Sequence, residues 1–121
     1  MNVPAIMIIE DDSSFIYLMQ RYVKRSGFHA ISANSGADAL RLARQEHPAM
    51  IILDLGLPGM GGPEILQALK TDPATRDIPI VLCTGWDDKG ESLGGVAGII
   101  KKPVSYQDFA QVLTDLGFKP Q

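Results

Sequence analysis

Four apolar stretches of this 121-residue chain each end on side chains that can do chemistry. Glu10-Asp11-Asp12 follows Ala5–Ile9, Asp54 follows Ala49–Leu53, Thr84 follows Ile78–Cys83, and Lys101-Lys102, just before Pro103, follows Val96–Ile100. If the fold brings these ends together, the charges constrain what the site can be. Two carboxylates about 4 Å apart repel by roughly 4 kcal/mol at an effective dielectric of about 20. A cluster of three needs a cation, protonation or splayed side chains. Carboxylates with open water positions suit Mg²⁺, which keeps several waters and accepts a phosphate oxygen. Lys102 adds a point charge without the fork of a guanidinium. Carboxylate, metal, ammonium and hydroxyl together suit a transferring phosphoryl group, whose oxygens need their charge neutralised. A carboxylate can also be the nucleophile, becoming an aspartyl phosphate.

Gathering the four ends requires parallel strands. The apolar runs Ala5–Ile9, Phe28–Ala33, Ala49–Leu53, Ile78–Cys83 and Val96–Ile100 predict five. The first, third and fourth are nearly continuous in Ile, Val, Leu and Met, as in strands covered on both faces. Between them lie segments of helical spacing. Phe15, Leu18, Met19 and Tyr22 form one stripe, with Asp12 or Ser13 to cap its start and Gly27 to end it. Ala37, Leu40 and Ala43-Arg44 continue a second helix until Pro48. A third opens at Pro63 and runs through Ile65, Leu66 and Leu69. Tyr106–Leu116 carries Phe109, Val112, Leu113 and Leu116 on one face and stops at Gly117. The connection from Gly85 to Gly95 contains four glycines, each costing a helix about 1 kcal/mol relative to alanine, and predicts a short or irregular fourth helix. The expectation is an α/β three-layer sandwich over residues 1–121, a single domain with a flavodoxin-like parallel sheet of order 2-1-3-4-5. In that order the first and third strands flank the switch point, where ligands bind beyond the carboxyl ends.

Composition narrows the function classes. Hydrophobic residues make up 45% and charged residues 21%, as in ordinary globular domains. A net charge of −3 argues against an extended nucleic-acid surface. One cysteine excludes an internal disulfide and a cysteine-cluster zinc site. No apolar run reaches the ~18 residues of a membrane span, and the start of the chain is no signal peptide. A soluble cytoplasmic domain without membrane contact is expected.

Each candidate also has a plainer role. The acidic run could merely decorate a helix start, and Asp12 reads better as a cap than as a ligand. Lys101 and Lys102 point to opposite faces of an extended strand, and the place before Pro103 favours Lys102. Cys83 reads as a buried small hydrophobe, and His29 and His47 as surface or strand residues. The glycines from Gly56 to Gly62 do not spell a dinucleotide fingerprint. Gly85 to Gly90 has P-loop spacing but puts Glu91 where lysine is needed.

Taken together, Glu10-Asp11, Asp54 within Ile51–Gly62, Thr84 and Lys102-Pro103 resemble the response-regulator receiver domains of two-component signalling. The separations are 43 residues from Asp11 to Asp54, 30 from Asp54 to Thr84 and 18 from Thr84 to Lys102. The resemblance spans essentially the whole chain. It implies that Asp54 takes a phosphoryl group from a phosphohistidine on a histidine kinase or histidine phosphotransfer protein. It implies that Asp11, Asp54 and the carbonyl of Gly56 hold Mg²⁺, with Glu10 acting through water, and that Thr84 and Lys102 bind phosphoryl oxygens. Lys102-Pro103 resembles the family's cis peptide. Such a domain is no enzyme beyond slow self-phosphorylation and self-dephosphorylation, and it signals through protein contacts. The alternative is a receiver-like interaction module that works without phosphorylation. A small phosphatase would need a cap for which the chain leaves little room, and no output domain is expected within it.

Two features depart from the family pattern. Ile99 stands where receivers usually carry an aromatic residue, and isoleucine is stiff at χ1 with no ring to rotate. The stretch from Thr84 to Lys102 is short and glycine-rich. An atypical output surface follows, in which phosphorylation alters residues 86–95. Trp86, two residues past Thr84, is a candidate shield against water and reads equally as a core or an exposed side chain.

Overall fold

Proline and glycine mark the points where the chain changes element. The computed structural model describes residues 3–54, 61–85 and 95–119. In order, it contains β1 (Ala5–Ile9), α1 (Ser13–Arg25), β2 (His29–Ala33), α2 (Gly36–Glu46), β3 (Met50–Asp54), α3 (Gly62–Thr71), β4 (Ile80–Thr84), β5 (Gly98–Lys101) and α4 (Tyr106–Asp115). All strands pair in parallel, in the order β2-β1-β3-β4-β5. The expected weak helix between β4 and β5, with Trp86, lies outside the described residues, as does Gly56.

Helix boundaries follow local chemistry. Asp12 caps α1 by accepting the Ser14 N–H, and Gly27 leaves the helix at φ 89°. Ser35 and Ser105 cap α2 and α4 in the same way. Pro63 sits in the first turn of α3, where its missing N–H is no loss. Gly117 follows α4 at φ 92°. Strand ends shift by a residue or two from the sequence reading, β5 starting at Gly98 rather than Val96, and two differences have a clear local cause. In α2 the buried stripe is Ala39 and Ala43, with Ala37 exposed, so small side chains let this helix lie close to the sheet. And β4 starts at Ile80 rather than Ile78, because Pro79 has no N–H for the ladder; its carbonyl still accepts from Ile51 N at 3.0 Å.

Strand alternation divides the core. Met7, Ile9, Ile51, Leu53, Ile80 and Leu82 pack under α2 and α3. Ile6, Ile8, Met50, Ile52, Val81, Cys83 and Ile100 pack under α1 and α4 with Met19, Val23, Phe109 and Leu113. Both faces of the central strands are therefore covered, as their continuous hydrophobicity demands. Among the described residues no helix is long and apolar enough to cross a membrane.

Candidate functional site

Register brings the candidate residues together. Ile9 pairs with Leu53, so Glu10 and Asp54 emerge side by side at the carboxyl ends of the two central strands. Glu10 N donates to the Ala33 carbonyl at 3.0 Å, extending the β1–β2 ladder by one step. Lys102 N donates to the Thr84 carbonyl at 2.8 Å and extends the β4–β5 ladder likewise. Alternation then sets direction. Glu10 follows the face of Ile6 and Ile8, Asp54 that of Met50 and Ile52, and Lys102 that of Ile100. All three lie on the α1–α4 side, which is why Lys102 enters the site while Lys101 is exposed.

The side chains meet. Lys102 Nζ donates to Asp54 Oδ2 at 2.7 Å and to Glu10 Oε1 at 3.3 Å. Glu10 Oε2 accepts the N–H groups of Asp11 at 2.9 Å and Asp12 at 3.1 Å, so the chain entering α1 holds this carboxyl in place. Glu10 and Asp54 are buried, with 2% and 6% of their surface exposed. Burial, reinforced by the hydrogen-bonded Asp54 carboxyl, pushes the Glu10 acid up to about 7. Burial pulls the Lys102 ammonium down, but the two carboxylates outweigh it and hold its pKa above the usual lysine value.

Other candidates take different places. Asp11 is exposed at the rim, next to the buried pair. Asp12 is the helix cap, as its position suggested. Thr84 is buried at the top of β4, and its carbonyl steadies Lys102. The Lys102-Pro103 peptide is cis. Cys83 is fully buried beside Asp54 in register, and burial pushes its thiol up to about 12, which keeps it inert. His29 and His47 are exposed. The sequence reading assigned Phe15 only to the core stripe of α1, yet its ring centroid lies 4.5 Å from Lys102 Nζ. No sequence signal pointed to that contact, because helical spacing places Phe15 on a face without fixing how the helix crosses β5.

The donor set suits a hard divalent cation. Two buried carboxylates meet the Lys102 ammonium, and burial, with the hydrogen-bonded Asp54 carboxyl beside it, raises the pKa of Glu10. Carboxylate oxygens with a solvent-side Asp11 match the ligand preference of Mg²⁺. Among the described residues, no three His, Cys, Asp or Glu side chains are already arranged to hold a metal. Lys102 Nζ instead bridges Glu10 and Asp54, and Asp11 faces water.

Comparison with known proteins agrees with this geometry. The response regulator receiver domain family matches residues 6–114. The polar-differentiation response regulator DivK of Brucella ovis is 34% identical over 113 residues, covering 90% of this chain and 92% of that protein. A sensor protein from Polaromonas sp. JS666 superposes with a TM-score of 0.83 at 28% identity, covering 92% of this chain and 93% of that one. A CheY-like receiver domain from Methylobacillus flagellatus shares the fold at a TM-score of 0.85 and 21% identity, over 95% of this chain and 99% of that one.

Proposed function

The chain belongs to the response regulator receiver domain family of two-component signalling, and from that premise we propose that Asp54 is its phosphoacceptor. The observation that carries this reading is the contact of a buried Asp54 with Lys102 at 2.7 Å beside a second buried carboxyl. An Asp54 carboxylate oxygen attacks the phosphorus of a phosphohistidine on a histidine kinase or phosphotransfer protein. The new O–P bond forms as the N–P bond breaks, and that electron pair leaves with the imidazole nitrogen. Lys102 and the Thr84 hydroxyl take phosphoryl oxygens. Glu10, held by two backbone N–H groups, keeps the acidic corner in place. Asp11, Asp54 and the Gly56 carbonyl would hold Mg²⁺, with Glu10 acting through water. Bound there, the ion supplies charge neutralisation for the phosphoryl oxygens.

The whole chain then acts as one receiver domain in the cytoplasm, non-enzymatic beyond slow self-phosphorylation and self-dephosphorylation, and passes its signal on through protein contacts. The output runs through an atypical surface. Ile99, half-buried and packed with Val96 against the α2–α3 side of the core, supplies no aromatic ring to rotate.

Incubation with acetyl phosphate and Mg²⁺, followed by mass spectrometry, tests the phosphoacceptor. One acid-stable, base-labile phosphoryl group per chain is expected on Asp54, lost with Asp54→Asn and with chelator while the fold persists. Label on another side chain, or labelling indifferent to Asp54→Asn, would refute the reading.

A further inference from the structure

The ammonium of Lys102 has two carboxyl neighbours and one that carries no charge. Asp54 Oδ2 and Glu10 Oε1 approach it at 2.7 Å and 3.3 Å, and the Phe15 ring covers another side with its centroid 4.5 Å from Nζ. Phe15 is the third residue of α1. The turn that aims it is the one that fixes the acidic corner: Glu10 accepts from Asp11 and Asp12, and Asp12 caps the helix through Ser14. The lysine side chain keeps 32% of its surface exposed, so carboxylates alone do not enclose it. A lysine stem has many rotamers to lose, and a face-on ring attracts the ammonium more strongly as water is excluded.

We propose that Phe15 is a positioning residue for phosphoryl transfer: its ring face confines the Lys102 ammonium against Asp54. This rests on Asp54 being the phosphoacceptor. Phe15 also packs against the α1–α4 core, so truncation to alanine would mix packing with electrostatics. Leucine and methionine fill the space without a negative ring face, whereas tyrosine keeps that face.

Two readouts are taken on the intact chain. By NMR, the ε-methylene protons of Lys102, identified by their loss in Lys102→Arg, carry an upfield ring-current shift that Phe15→Leu removes and Phe15→Tyr keeps. With acetyl phosphate and Mg²⁺, Phe15→Leu phosphorylates Asp54 about five-fold more slowly, and Phe15→Tyr stays within about two-fold of the parent. Phe15→Met repeats the comparison should the leucine variant unfold. Parent-like labelling in the leucine or methionine variant, or a tyrosine variant as slow as they are, overturns the proposal. Absence of label on Asp54 in the unmutated chain overturns the underlying phosphoacceptor reading instead, and is scored without any variant.

Discussion

Glu10 is the residue whose burial has the clearest thermodynamic consequence. Its folded pKa of about 7 lies above the ordinary 4.5, because burial and the adjacent Asp54 disfavour its charge. Between those values the folded state holds more protons than the unfolded state. Unfolding free energy contributed by this group is therefore complete below pH 4.5 and falls as pH rises toward 7. The loss amounts to ~3 kcal/mol at most, since each tenfold change in a proton-binding constant is worth about 1.4 kcal/mol. Glu10→Gln removes the ionisation and keeps an oxygen to accept from the Asp11 and Asp12 N–H groups. In chelator, urea unfolding should show this variant more stable than the parent at pH 8, by on the order of 1–3 kcal/mol, with the two converging near pH 4. A difference that stays constant with pH would contradict the assignment. Lys102 works in the same sense, but in an alkaline window. Its raised pKa contributes stability at lower pH that disappears only as the ammonium titrates, at alkaline pH.

The site stands on how α1 and α4 clasp one face of the sheet. Tyr22 Oη donates to the Val104 carbonyl at 2.9 Å, and the hydroxyls of Ser26 and Tyr106 meet at 3.0 Å. The Tyr22 and Tyr106 rings meet edge-on at 5.6 Å, and Arg25 lies 4.0 Å over Tyr106. Val104 follows the cis peptide at Lys102, so this bond ties α1 to the segment carrying the site lysine. Tyr22→Phe keeps the ring packing and strands a partly buried carbonyl. It should cost about 1 kcal/mol in urea unfolding. An unchanged midpoint would show that water replaces the hydroxyl. These elements were largely written in the sequence, since Asp12, Gly27, Pro63 and Gly117 each impose a backbone geometry locally. The buried stripe of α2 was not, because alanines alone do not reveal which face meets the sheet; the packing chose Ala39 over Ala37.

How phosphorylation leaves the site depends on how the sheet couples its strands. Glu10, Asp54 and Lys102 could be read as a group because each ends its own parallel strand, and their shared face follows from alternation. The Phe15–Lys102 contact was hidden, since it depends on the angle between a helix and a strand from opposite ends of the chain. The same logic limits the output. Ile99 pairs with Leu82 in register and packs with Val96 toward α2 and α3, anchored in the hydrophobic core. A β-branched side chain held there has neither ring nor hydroxyl with which to follow a moving Thr84. On the atypical output proposed above, movement at the top of β4 passes instead along the chain between Gly85 and Gly95. Hydrogen exchange with and without beryllofluoride, a phosphoryl mimic, should therefore change protection over residues 86–95 while the amides of Ile99 and Ile100 in β5 stay as they were. Equal protection of 86–95 in both states, with altered exchange confined to β5, would place the switch in the strand and defeat this account.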